Sequence, residues 1–319
     1  MFLGKSIGRP RRRRKNPLLA LFFLIILVAA GFYGYISVSD MEEPYLALVE
    51  HSNNEYAREI IYEEYDFDGD LVIHFIDVGQ GDATLIKTSA GSVLIDGGDR
   101  HMGERMVAYL RDVGVSEITY VIATHPHADH IGGLVDVLNE FSIGQIIMPP
   151  VAHTTVTFER FLDAIEDNDI LVKEPSPGVS FNLGEVEFTI IAPNSTGYQN
   201  LNDYSVSVRV VFGETSFVFT GDAERISEME MIEAGHVLSA DVLRVGHHGS
   251  RTSTTQEFFD AVDPSIVVIS VGADNRYGHP HSEVTDRLEA AAVRIYRTDQ
   301  HGTIIMTSDG TYINVRTEN

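Results

Sequence analysis

The stretch His125-Pro126-His127-Ala128-Asp129-His130 decides how this chain is read. It follows the apolar, strand-like run Ile118-Thr119-Tyr120-Val121-Ile122-Ala123 and packs four metal-type side chains into six residues. Two imidazoles at i and i+2 on an extended loop can point the same way, while Asp129 and His130 aim at a second point a few ångströms off. That is half of a two-metal hydrolytic site, and the rest of the chain is judged by whether it supplies the other half.

Metal-type residues recur where predicted strands end. Asp96 closes Leu94-Ile95-Asp96-Gly97-Gly98, Asp222 follows Phe217-Val218-Phe219-Thr220 through Gly221, and His247-His248 follows Val242-Leu243-Arg244-Val245-Gly246. Neighbouring glycines let a polar side chain emerge beside closely approaching backbone. Taken singly, a histidine after a strand is more often structural, and Asp222 in Gly-Asp-Ala-Glu reads as a turn or a helix N-cap. Their joint occurrence, in this order, favours one shared site.

The same residues carry a resemblance. His125-x-His127-x-Asp129-His130, followed by Asp222 and the His247-His248 pair, resembles the metallo-β-lactamase superfamily. Three segments are similar to the soluble hydrolase domain of the competence protein ComEC family: Phe75-Ile-Asp77-Val-Gly-Gln80-Gly81-Asp82-Ala, Asn202-Asp-Tyr-Ser205-Val-Ser-Val, and Val245-Gly-His247-His248-Gly-Ser250. Tyr277-Gly-His279-Pro-His281 fits the same group, and the likeness runs from about Leu71 to Tyr312.

The resemblance implies an α/β (α+β) fold, an αββα sandwich with a dinuclear metal site at one edge. By the superfamily pattern His125 and His127 hold the first metal; Asp129, His130 and the later histidine hold the second, with Asp222 bridging. His248, directly before the glycine, is the preferred ligand of the pair, and His247 is the alternative. The superfamily usually adds a third histidine to the first metal, yet the chain has no histidine between His153 and Asp222. By the ComEC-type pattern Asn202, Asp203 or Ser205 stands there, and oxygen ligands shift the metal choice from zinc, the default, toward manganese or magnesium.

Asp129 doubles as the residue that orients the attacking water, and His279 or His281 serves the leaving oxygen or a phosphate. Asp77, Gln80 and Asp82 are expected at the mouth of the site. Asp96, Asn202 and Ser205 complete the substrate-binding candidates. The remaining histidines, His153 among them, lack a spacing partner and are read as surface or structural.

Periodicity supports the fold class independently. Strands are predicted at 71–77, 83–88, 92–96, 118–123, 145–148, 186–192, 205–212, 215–220, 241–245, 265–271, 293–297, 303–307 and 311–315. Helices are predicted at 103–112, 130–139, 157–168, 224–234, 254–262 and 283–292. Hairpins mixed with single strand–helix units point to two mixed sheets with helices outside.

The amino terminus reads separately. Lys5, Arg9, Arg11, Arg12, Arg13, Arg14 and Lys15 precede an uncharged apolar run over 17–38. That pattern predicts a cytoplasmic tail (1–16), a single membrane-spanning anchor (17–38), an acidic linker (39–70) and a hydrolase domain (71–319) outside the cytoplasm. A cleaved signal, cut near Val28-Ala29-Ala30-Gly31, is the alternative and makes the domain secreted. Beyond residue 16 the chain keeps 16 basic and all 47 acidic residues, a formal charge of −31, which weighs against tight nonspecific nucleic-acid binding. No cysteine is present, so disulfides, thiolate catalysis and cysteine-held metals are excluded.

The leading expectation is therefore a membrane-anchored phosphodiesterase or nuclease of ComEC-like type, with DNA or another phosphodiester as substrate. The alternatives are a small-molecule hydrolase acting on a lactone, β-lactam or small phosphodiester, and a non-catalytic envelope module.

Overall fold

Central strands of this chain are apolar on both faces, and that pattern builds a layered core. In Gly91–Ile95, Val93 and Ile95 face one apolar cluster and Leu94 the opposite one. In Thr215–Phe219, Phe217 and Phe219 join the first cluster and Val218 a third. Side chains alternate across a strand, so such sequences demand cover on both sides.

The computed structural model describes residues 71–319. The expected tail, anchor and linker lie outside the described residues. In chain order the elements are β1 (Leu71–Phe75), β2 (Thr84–Thr88), β3 (Gly91–Ile95), α1 (Gly103–Asp112), β4 (Glu117–Ile122), α2 (Ala128–Ile131), α3 (Leu134–Glu140), β5 (Ser142–Ile147), α4 (Val156–Asp167) and β6 (Val172–Lys173). There follow β7 (Ser180–Leu183), β8 (Val186–Ala192), β9 (Ser207–Phe212), β10 (Thr215–Phe219), α5 (Arg225–Glu233), β11 (Val242–Arg244), α6 (Gln256–Val262) and β12 (Ile266–Ile269). The chain closes with α7 (Ser282–Ala290), β13 (Arg294–Arg297), α8 (Thr298–His301), β14 (Ile304–Ser308) and β15 (Ile313–Thr317).

An eight-stranded sheet has the order β15-β14-β1-β2-β3-β4-β5-β6, and a seven-stranded sheet the order β13-β12-β11-β10-β9-β8-β7. The inner cluster joins the facing sides of the two sheets, where Phe75 and Phe219 stack at 5.9 Å. Met106 and Leu110 of α1, Leu134 and Leu138 of α3 and Phe158 and Phe161 of α4 cover the outside of the first sheet. Met231 of α5, Phe258 of α6 and Leu288 of α7 cover the second. The αββα architecture expected from the sequence is the one observed.

Strands β3 to β6 run parallel, as do β10 to β13. Parallel neighbours need crossover helices, which α1, α2 with α3, α4, α5, α6 and α7 supply. Loops at the carboxyl ends of such strands gather at one edge of each sheet. The helix expected at 130–139 is broken into α2 and α3 at Gly132-Gly133. There the backbone presses on its neighbours: a Cβ on Gly133 would meet the Gly97 carbonyl oxygen at 2.1 Å. Strands β6 and β7, short and mostly exposed, escaped prediction: β6 has only two residues, and the alternation of β7, Ser180-Phe181-Asn182-Leu183, spans only four. Among the described residues no helix is long and apolar enough to cross a membrane.

Candidate metal centre

Four strand ends deliver the metal-type residues singled out in the sequence. His125, His127, Asp129 and His130 follow β4, Asp96 follows β3, Asp222 follows β10, and His247 and His248 follow β11. His247 and His248 both adopt left-handed backbone, with φ of 50° and 55°. Non-glycine residues pay roughly 1–3 kcal/mol for such conformations, which persist where the surroundings impose them. Here the turn aims two successive imidazoles at one carboxylate.

That carboxylate is Asp222. Its Oδ2 lies 3.2 Å from Nε2 of His130, 3.6 Å from Nε2 of His248, 3.6 Å from Nε2 of His247 and 3.9 Å from Nε2 of His125. Asp129 Oδ2 is 3.5 Å from Nε2 of His248, and His125 Nε2 is 2.9 Å from Nδ1 of His127. Three-residue groups of converging donors are His125–His130–Asp222 and Asp129–His130–His248.

The far sides of four imidazoles, those of His130, His248, His125 and His247, are tethered. Nδ1 of His130 donates to Asp96 Oδ2 at 2.7 Å, and Nδ1 of His248 to the Ser270 carbonyl at 2.9 Å. Nδ1 of His125 sits 3.1 Å from Thr124 Oγ1, which itself donates to Asp96 Oδ2 at 2.6 Å. Nδ1 of His247 faces Glu224 Oε1 at 3.2 Å. With a proton on each Nδ1, every Nε2 presents a lone pair to the Asp222 side, the arrangement that orients metal-ligating histidines.

These residues fit divalent metal ions. Nε2 of His130, Nε2 of His248 and Oδ1 of Asp222 are buried without a hydrogen-bond partner. His130 Nε2 is close to Asp222 Oδ2 yet not aligned to bond it, as befits two ligands facing a third atom between them. Buried polar atoms left without partners are costly, and a cation resolves all three.

Charge at the centre points the same way. Burial and the neighbouring His130 push the His125 imidazole well below its usual range, so it stays neutral as a ligand must. Burial alone would also lower His130, but Asp222 and Asp96 outweigh it and hold that group well above the usual range. Burial raises Asp222, and His130, His248 and His247 more than offset this, keeping it ionised. Carboxylates converging on one imidazole call for positive charge, which a divalent cation supplies more strongly than a proton.

A cavity of about 290 Å³ opens onto the centre, lined among others by His127, Asp129, Asn202, Asp222, His247 and His248. Gln80, Tyr277 and His279 also line it.

The family model of the metallo-beta-lactamase superfamily matches residues 76–273. The chain belongs to that superfamily. It is 31% identical over 250 residues to ComE operon protein 3 of Bacillus subtilis, a match covering 73% of this chain and 32% of that protein. It is 30% identical over 234 residues to Recombination protein 2 of Haemophilus influenzae, covering 72% and 28%. Competence protein ComA of Neisseria gonorrhoeae is 28% identical over 231 residues, with 72% and 31% covered. The chain thus spans about a third of the length of these curated relatives. Among solved structures, the CmlA beta-hydroxylase E377D mutant superposes with a TM-score of 0.50 at 16% identity, covering 88% of this chain and 61% of that one, which shows the fold alone. With its superfamily and its His/Asp cluster, the chain is a metal-dependent hydrolase related to competence proteins.

In this metallo-beta-lactamase site His248 is the buried member of its pair and groups with Asp129 and His130, while His247 reaches Asp222 from the more exposed side. Several expected substrate contacts sit elsewhere. Asp96 is fully buried behind His130 and Thr124. Ser205 is fully buried and its Oγ accepts the Asp222 N–H at 3.1 Å. Asp82 is buried and paired with Arg244 at 2.7 Å. Asp77 turns its Oδ1 to the Gly79 N–H at 2.9 Å and does not line the cavity. The strand ends bury Asp96, Ser205 and Asp82 under the ligands, while Asp77 is half-buried in a turn away from the cavity lining. His281 also lies off the cavity, its Nδ1 accepting the Arg251 N–H at 3.0 Å at the start of α7.

Three participants escaped the sequence reading. Arg244, 1% exposed, bridges Asp82 and the Gly221 carbonyl, the latter at 2.7 Å. A lone arginine inside an apolar strand was the available signal. Glu224 tethers His247, and His153, without a spacing partner in sequence, brings its ring within 5.6 Å of His127.

Proposed function

We propose that the chain is a phosphodiesterase acting on DNA or a related phosphodiester outside the cytoplasm, held at the membrane by residues 17–38. The observation that supports it best is the set of four imidazoles and two carboxylates converging beside an open cavity. The relatives' names, with competence and recombination among them, make DNA the first substrate to try.

Bound at this centre, two divalent cations supply an acidified water and neutralise charge on a phosphoryl oxygen. His125 and His127 would hold one cation and Asp129, His130 and His248 the other, with the Asp222 carboxylate within reach of both groups. Burial raises Asp129, but its contact with His248 and the charge of His130 outweigh this and keep it ionised. An ionised Asp129 at the cavity wall accepts a hydrogen bond from the attacking water and orients it. Burial and the nearby His247 lower His279 to about 4, so its imidazole is neutral at pH 7 and offers an N–H to the leaving or non-bridging oxygen. The acidic exported domain favours a short contact with the substrate at the site over a long track along a polyanion.

The test is incubation of the full chain with manganese or zinc, on labelled single-stranded DNA and separately on a lactone. Shortened DNA with intact lactone is expected. Lactone opening with untouched DNA would replace this reading by a small-molecule hydrolase, and turnover of neither would favour a non-catalytic module.

A further inference from the structure

The first metal position is short of one imidazole, and the structure separates the three residues that stand in its place. Asp203 is turned away: its Oδ1 accepts the N–H groups of Glu224 at 3.2 Å and Ser227 at 3.3 Å. Ser205 has its oxygen engaged by the Asp222 N–H, behind His125. Asn202 differs from both. It is 5% exposed, it lines the cavity together with His127 and Asp222, and its Oδ1 is buried without a partner.

Which end of that amide faces the cavity is decided by a neighbour. Asn202 Nδ2 donates to Glu224 Oε1 at 3.0 Å, while the Oδ1 end of the same amide has no partner. With Nδ2 anchored on Glu224, Oδ1 is left as the unsatisfied end. A buried carbonyl oxygen with no donor in reach is costly unless something cationic or protonated meets it.

Resting on the metal-hydrolase reading above, we propose that Asn202, locked by Glu224, supplies its carbonyl oxygen as the third protein ligand of the metal held by His125 and His127. Imidazole suits zinc, whereas carbonyl and carboxylate oxygens suit manganese and magnesium. Exchanging one imidazole for an amide oxygen makes this position the harder of the two. Glu224 then serves both sides of the centre, fixing Asn202 with one contact and His247 with another.

Metal content tests this without reference to turnover. The full chain is dialysed against equal manganese and zinc, and bound metals are counted by elemental mass spectrometry, with manganese also read by electron paramagnetic resonance. Asn202→Ala is expected to lose one metal of the pair, or to weaken manganese binding there roughly tenfold or more, while the other position stays filled. Asn202→His is expected to keep both and to shift the zinc-to-manganese ratio at the first position by roughly tenfold toward zinc. Two metals bound with unchanged affinity in Asn202→Ala, or an unchanged metal preference in Asn202→His, would overturn the assignment while leaving the hydrolase reading intact. A wild-type chain that takes up no metal would overturn both.

Discussion

Nδ1 of His130 lies 2.7 Å from Oδ2 of Asp96, and neither side chain is exposed to solvent. The same carboxylate accepts the Thr124 N–H at 2.8 Å and its hydroxyl at 2.6 Å, and that hydroxyl stands against His125. One buried carboxylate thus orients two imidazoles that face different sides of Asp222. Replacing it by Asp96→Asn should weaken metal binding by roughly 10–100-fold, the usual cost of losing such an orienting partner. Chelator competition measures this, and unchanged affinity would show that Asp96 does not set the rings.

Arg244 and Asp82 form a buried pair at 2.7 Å beneath the Asp222 loop. Arg244→Met leaves Asp82 buried with an uncompensated charge and should cost roughly 3–5 kcal/mol. The double variant Arg244→Met/Asp82→Leu should recover most of that loss. Urea unfolding checks both, and a double variant no more stable than the single one would contradict the pairing argument.

Both parts of this centre bear on what could be read in advance. The ligands were legible because strand ends with adjacent glycines and a dense histidine cluster are local patterns. The two sheets were legible because strands such as β3 and β10 are apolar on alternate sides. The Asp82–Arg244 pair was not, since its members sit on distant segments and Arg244 hides in an apolar strand. Likewise Asp96 and Ser205 read in sequence as polar strand-end residues open to substrate, and only the packing of strand ends buries them behind His130 and His125.

Glu228 offers a pH signature away from the ligands. It is fully buried on α5, and its carboxylate accepts the N–H groups of Thr254 and Thr255, the latter at 2.9 Å. Burial pushes it from 4.5 up to about 7, against the pull of those N–H groups. The folded chain therefore keeps a proton that the unfolded chain has lost, and stability falls as pH rises from about 4.5 to about 7, levelling above. The loss is on the order of 3 kcal/mol. Glu228→Gln, compared with wild type by denaturant unfolding across that window, should flatten the slope. A slope identical to wild type would refute it.

Gly249 follows the histidine pair with φ of 81°, and a Cβ there would meet Pro280 Cβ at 2.5 Å. Gly249→Ala strains a left-handed position and wedges apart the loops that carry His248 and His279. It should cost roughly 1–3 kcal/mol in thermal or urea unfolding. A variant as stable as wild type would show that these loops are not packed as described.

The most direct measurement is hydrolysis of bis(p-nitrophenyl) phosphate by the full chain as loaded, after stripping with chelator, and after return of manganese or zinc. The same assay is run on the Asp129→Ala/His130→Ala variant. Activity that disappears on stripping, returns on reloading and is absent from the variant is the predicted result. Turnover indifferent to chelator, or undiminished in that variant, would contradict a metal-dependent hydrolytic centre at Asp222.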